Sequence, residues 1–201
     1  MKPQKKLPRK FYTRDVHIVA KELLGKLLVR KIGRKHLIGK IVEVEAYEGS
    51  IDEAAHTFGG KTKRNEVMFN EGGFLYVYFT YGMHFCSNVV AGKLNDGNAV
   101  LLRAVEPVNG LELMTINRFK KKNISAVELK DLTNGPAKIC RAFGIARSEN
   151  GTDLTGKEIF ILDSPKLSEN KIAASTRIGI KKSVDLPWRY YIKNNSFLSR
   201  K

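Results

Sequence analysis

Glutamate recurs at every second position in Ile41-Val42-Glu43-Val44-Glu45-Ala46-Tyr47, and a tyrosine follows at the same step. In an extended strand this spacing puts Glu43, Glu45 and Tyr47 on one face and Val42, Val44 and Ala46 on the other. Two carboxylates beside a phenol can take a proton from water and stabilise developing positive charge. The same pattern also describes the polar side of a solvated strand. Arg103 lies inside the apolar run Val100-Leu101-Leu102-Arg103-Ala104-Val105. A charge there needs a partner, since an unpaired buried one costs several kcal/mol. Glu43 or Glu45 would supply it, either as a structural salt bridge or as the contact that holds a catalytic carboxylate and its water.

Flat rings gather in Tyr76-Val77-Tyr78-Phe79-Thr80-Tyr81-Gly82-Met83-His84-Phe85. Phe79 and Phe85 are expected in the core. Tyrosine hydroxyls need a partner or water, so three of them in six residues predict a partly exposed aromatic platform. Rings beside a basic surface suit nucleobase stacking, at about 1–3 kcal/mol per base. His56, in Asp52-Glu53-Ala54-Ala55-His56-Thr57, and Asn88 are further polar candidates. His17 and His36 are read as structural, and His84 is unassigned. Neither Cys86 nor Cys140 sits in a CxxC pair, so both are expected as buried thiols and no zinc site is predicted.

These residues need elements to place them. The apolar spacing of Val16, Val19, Ala20, Leu23 and Leu24 predicts a helix after Asp15, stopped by Gly25. Residues 26–31 and 37–47 read as a hairpin turning at Gly33-Arg34-Lys35, and 74–79 and 99–105 as further strands. Late strands are expected at 156–162 and 188–192. Residues 110–120 and 136–143 have helical character. The long glycine-bearing stretch from Glu48 to Gly73 is of the kind that carries function in a compact domain. The expected fold is α+β, a single domain over residues 11–201 with a curved antiparallel sheet as its core, preceded by a flexible basic arm over residues 1–10.

Charge points to a partner. In 201 residues, 36 Lys and Arg stand against 20 Asp and Glu, a formal net charge of +16, which favours a polyanion such as DNA or RNA. No run reaches the length of a membrane span and the basic start lacks an apolar leader core, so a soluble intracellular protein is expected, cytoplasmic in a prokaryote and nuclear in a eukaryote.

Taken in order, Gly39 to Tyr47, Asp52-Glu53-Ala54-Ala55-His56, Arg64-Asn65, Tyr76-Val77-Tyr78, Tyr81-Gly82-Met83, Asn88, Val100 to Pro107 and Asn134 to Cys140 resemble the alkyladenine (3-methyladenine) DNA glycosylase family. The resemblance runs from Phe11 to Ile192. It implies a monofunctional enzyme that flips alkylated or deaminated purines out of duplex DNA and hydrolyses the N-glycosidic bond, leaving an abasic site. The substrates it implies are 3-methyladenine, 7-methylguanine, hypoxanthine and ethenoadenine. Glu45 would be the general base and Arg103 its neighbour beside base and water. Tyr47, His56 and Tyr78 would sandwich the flipped base, and Asn88 would disfavour guanine. Tyr81 would fill the vacated position in the duplex. Arg64, Lys138 and the stretch holding Arg177 and Ile180 would contact the DNA. No metal or cofactor is implied, and a monomer acting on double-stranded DNA is expected. His84, where an aromatic is common in the family, and the short Gly59–Asn65 loop depart from the pattern. Two other readings use the same residues: a basic nucleic-acid binder without catalysis, and a metal-dependent nuclease with Glu43, Glu45, Asp52 and Glu53 as ligands.

Overall fold

The computed structural model describes residues 4–80 and 82–200. In chain order its elements are α1 (Arg9–Tyr12), α2 (Val16–Leu23), β1 (Leu27–Ile32), β2 (Lys35–Tyr47), β3 (Phe74–Thr80), β4 (His84–Ala91) and β5 (Asn98–Asn109). They continue with α3 (Leu111–Phe119), α4 (Ala126–Asp131), α5 (Pro136–Phe143), β6 (Thr152–Asp153), β7 (Ile159–Leu162), β8 (Ile172–Ser175) and β9 (Arg189–Ile192). The strands form one curled sheet in the order β6-β3-β4-β5-β2-β1-β7, with β9 joined to β2 and β8 to β9. Every pairing is antiparallel, so the class is α+β as expected.

Local chemistry accounts for the boundaries. Asp15 caps α2 by accepting from the backbone of His17 and Ile18, and Gly25, at φ +84°, turns the chain out of it. The apolar stripe of α2 (Val16, Val19, Ala20, Leu23) is buried against the sheet together with Ile139, Cys140, Ala142 and Phe143 of α5. Gly39 lets β2 pass under these helices, since a Cβ there would press on Val105 and the Phe143 ring. Within the expected arm, Lys6 bridges to Leu162 and Leu7 is buried, so this part of the segment packs along the sheet.

The sheet has two unlike faces. Leu75 and Val77 of β3, Val89 and Ala91 of β4, and Val100 and Leu102 of β5 join the main core beneath the helices. Tyr76, Val90 and Ala99 point to the opposite face, where with Met68 they form a second, smaller cluster packed against Phe74 and Tyr78. The long 48–73 stretch covers this second face and holds a single 3-10 turn, Glu66–Phe69. Phe79 departs from expectation: the residue is 41% exposed and rests against the Phe85 ring at 5.2 Å between centroids, while Phe85 itself packs on the core edge.

Between β2 and β5 the ladder is irregular, with register shifts between Ile41 and Glu43 and between Glu43 and Val44. Before the irregularity Leu37 and Ile41 face the core; after it Val44 and Ala46 do. On β5 the same change falls between Leu102 and Val105. Paired bulges of this kind re-aim side chains. Val42 is buried, but it belongs to neither cluster, which corrects the expectation that it shares a face with Val44 and Ala46.

Candidate active site

Beyond the bulges, β2 is fixed along both edges: Glu43 pairs with Ala104 and Tyr191, and Glu45 with Leu101 and Arg189. Both carboxylates therefore have rigid backbones, and both are fully buried, which excludes the solvated-strand reading. Buried charges need partners of opposite sign, and they have them. The Arg103 guanidinium lies between the two glutamates, with Nε donating to Glu43 Oε1 at 3.2 Å and Nη1 3.3 Å from Glu45 Oε2. Arg189 Nε donates to Glu43 Oε1 at 2.7 Å. Two carboxylates and two guanidinium groups thus balance to zero.

Glu45 has two further donors. The Tyr47 hydroxyl donates to Oε2 at 2.9 Å and the Ile178 backbone N–H to Oε1 at 2.7 Å. A carboxylate offers about four lone-pair directions. Each oxygen accepts one hydrogen bond; the second direction of Oε2 faces the Arg103 guanidinium at ion-pair distance, and that of Oε1 has no hydrogen-bond donor among the described residues. Burial, and next the Glu45 charge, hold the Tyr47 phenol well above its ordinary pKa, so it stays protonated and donates.

Above this carboxylate lies a cavity of about 600 Å³. Tyr47, His56, Tyr78, Asn88, Arg103, Arg64 and Ile180 all line it, so the structure brings seven of the sequence-derived candidates to one hollow. Glu45 sits beneath its floor, reached through Tyr47, Arg103 and Ile178, which do line it. Tyr76 and Tyr78 stack with centroids 5.6 Å apart, and His56 meets Tyr78 edge-on at 4.5 Å. His56 Nδ1 is 3.1 Å from the Tyr76 hydroxyl. Asn88 Nδ2 donates weakly to the Tyr76 carbonyl at 3.3 Å.

The walls are loops, and buried polar groups hold them. Asn65 donates to the carbonyls of His56 and Gly60 at 2.8 and 2.9 Å, which fixes the turn carrying His56. Thr57 donates to the Gly97 carbonyl at 2.6 Å, and a Cβ on Gly49 would collide with both groups. The second wall, residues 178–182, is bound to the first by a bidentate ion pair of Arg177 with Asp52, both side chains fully buried. The Arg177 guanidinium also lies over the rings of Tyr47 and Trp188, at 4.6 and 5.2 Å. Glu53 adds a backbone bond to Ser183 Oγ at 3.2 Å and an ion pair with Lys182.

This geometry removes one of the expected DNA contacts. Arg177 is closed on Asp52 inside the protein, where it offers no surface to a phosphate. Lys138 is outside the cavity, part-exposed and paired with Asp131 and Asn134, a position that neither supports nor excludes contact with the DNA backbone. Arg64 is at the exposed rim, 6.0 Å over the Tyr78 ring. Tyr81 lies outside the described residues. Sequence reading missed Asp52 as a clamp, Ile178 as a backbone donor, and Arg189 as the second cation on Glu43. Arg189 carried the same signal as Arg103, a charge in a strand. The nuclease reading loses its ligand set, because Glu43, Glu45 and Asp52 all face arginines, and among the described residues no three His, Cys, Asp or Glu side chains gather as metal ligands would. Both cysteines are free and buried. Among the described residues no helix is long and apolar enough to cross a membrane.

Burial first, and the Arg64 charge second, push the His56 imidazole below its ordinary value near 6.5. The unfolded chain then takes up this proton at a higher pH than the folded one. Stability is complete above that ordinary value and falls as pH drops from it towards the folded value. Acidifying from about pH 7.5 to about pH 5.5 is expected to lower the urea midpoint, and His56→Gln to flatten the slope. An equal slope in both proteins would exclude His56 as its source.

Comparison with known proteins gives one consistent result. The profile of the family described as Methylpurine-DNA glycosylase (MPG) matches residues 10–196. A protein of Clostridium botulinum (strain Alaska E43 / Type E3) is 48% identical over 202 residues, covering 97% of this chain and 99% of the relative. One of Carboxydothermus hydrogenoformans is 50% identical over 196 residues, with 97% and 99% coverage. One of Desulfitobacterium hafniense is 46% identical over 203 residues, with 98% and 100% coverage. All three are provisionally named 3-methyladenine DNA glycosylases.

Proposed function

This chain belongs to the methylpurine-DNA glycosylase family, DNA-repair hydrolases of N-glycosyl bonds, and from that footing we propose that it extrudes alkylated or deaminated purines from duplex DNA and releases them by Glu45-assisted attack of water. One observation carries the reading. A buried carboxylate, with one hydrogen bond at each oxygen and Arg103 beside it, is held by three residues that line an aromatic cavity with a basic rim.

A base stacked in duplex cannot reach such a floor, so the nucleotide must leave the helix, at a cost of a few kcal/mol. Tyr47, His56 and Tyr78 then receive it. Alkylated purines such as 3-methyladenine carry positive charge, which electron-rich rings attract. A neutral His56 avoids repelling that charge. As the glycosidic bond breaks, its electron pair leaves with the purine, which departs neutral if cationic and otherwise takes a proton from solvent; the sugar gains oxocarbenium character, Glu45 accepts a proton from water, and the water oxygen bonds to the anomeric carbon. Arg103, held by Glu43, fixes the orientation of the carboxylate. Asn88, in the cavity lining, disfavours guanine by clashing with its exocyclic amino group. Tyr81 takes the place of the departed base in the stack, offsetting part of the unstacking cost. A glutamate rather than a lysine holds the proposed catalytic position, so the product is an abasic site with the strand intact. Arg64, Lys181 and Lys182 supply phosphate contacts at the rim.

The test is incubation with duplexes that each carry one defined lesion, read by chromatography of the free base. Release of 3-methyladenine, 7-methylguanine, hypoxanthine or ethenoadenine with the strand uncut is expected. Strand cleavage in step with base release, or lesion binding with no release of any of the four, would overturn it.

A further inference from the structure

The contacts that hold Glu45 continue past Arg103. Arg103 is fixed by Glu43, and Glu43 is fixed from a distant part of the chain. Its Oε2 accepts from the Ser199 backbone N–H at 2.6 Å, and its Oε1 from the Ser199 hydroxyl at 2.7 Å. The same hydroxyl lies 3.4 Å from both Nε and Nη2 of Arg103. Arg189, the other cation on Glu43, donates to the Arg200 carbonyl at 2.8 Å. The segment is led into place by Asn195, which donates to Glu106 at 3.0 Å and accepts from the Phe197 N–H.

Glu43 faces more donors than a structural ion pair needs, and this has a physical use. One carboxylate between two arginines could tilt towards either. The two Ser199 donors, one to each oxygen, leave it a single orientation. Arg103 is then held at a set distance from Glu45, with part of its charge already neutralised. We propose that Glu43 and Ser199 are positioning residues of the proposed reaction, and that segment 195–200 is a structural part of the catalytic site, though it lines none of the cavity. The proposal rests on Glu45 being the general base.

Ser199 is the better probe, because it is half-buried near the surface, whereas loss of Glu43 would leave two buried arginines unpaired. Ser199→Ala removes one donor and Ser199→Pro removes both. Single-turnover release of hypoxanthine is expected to fall by about tenfold or less in the first and by roughly 10- to 100-fold in the second, as displacement of a catalytic group does. Affinity for a duplex holding a tetrahydrofuran abasic analogue should stay near wild type in both, and the thermal midpoint should fall modestly, leaving both fully folded at the assay temperature. Ser199→Thr keeps both donors and should recover the rate. Wild-type rates in the Ala and Pro variants would overturn the positioning proposal alone, provided Glu45→Gln is inactive. A rate loss that tracks the thermal midpoint, with Thr equally impaired, would reduce the segment to a stability element. An active Glu45→Gln would remove the premise and the proposal together.

Discussion

Glu45→Gln is expected to slow base release by about 10² to 10⁴-fold, the usual contribution of a general base, while duplex affinity stays within a few-fold of wild type. The substitution keeps the size of the side chain and removes its basicity. It also creates a local conflict. Both oxygens of Glu45 accept, one from Tyr47 beside Arg103 and one from the Ile178 N–H. A glutamine must turn its amide NH₂ towards one of those donors, and the buried cluster gains a net positive charge. A moderate loss of stability should therefore accompany the loss of chemistry. Binding is spared because Glu45 is fully buried beneath the residues that line the cavity and forms none of the rim that meets the duplex. Single-turnover release and electrophoretic mobility shifts measure the two effects separately. Near-normal release would remove Glu45 from the mechanism.

The second large effect is on the fold. Asp52→Ala is expected to cost about 3–5 kcal/mol in urea unfolding, because it strands the Arg177 guanidinium in the interior. Against a typical total of about 5–15 kcal/mol, that is a third or more of the stability of many domains. Arg177 has nowhere to go: it is wedged over Tyr47 and Trp188 and bonded to the Ala46 carbonyl at 3.1 Å. Asp52→Ala combined with Arg177→Met should recover part of the loss, since a buried pair replaced by an apolar group is often neutral. A cost below about 1 kcal/mol, as for an exposed pair, would show that the clamp adds little.

The periodic elements were legible in the sequence because each had one apolar face and clear punctuation. The helix from Val16, the hairpin at Gly33 and the strand from Phe74 fall within a residue or two of their expected bounds. β4 was missed because its site face carries His84, Cys86 and Asn88, which break the apolar run. α4 has a full capping box, Ser125 with Glu128, but none of its residues is buried, so no periodic stripe reveals it. At the site, the shared face of Glu43, Glu45 and Tyr47 followed from alternation alone. The bulge beside Val42 did not, since Val42 fits the strict alternation of Glu43, Val44, Glu45 and Ala46 and no glycine or proline marks the irregularity. Nor could a sequence show that the N–H of Ile178, 133 positions away, completes the shell of Glu45. Arg177 misled because the resemblance assigned its whole stretch to DNA contact, and only the fold shows that its side chain turns inward onto Asp52.

The joined walls have a bearing on selectivity. Asn65 within one wall, and Asp52 with Arg177 across both, make the hollow a mould cast before any nucleotide arrives. On the proposed reading, the work of eversion then falls to the DNA. Lesions that already sit loosely in the helix should be sampled most often, and the mould decides only which of those visitors is kept.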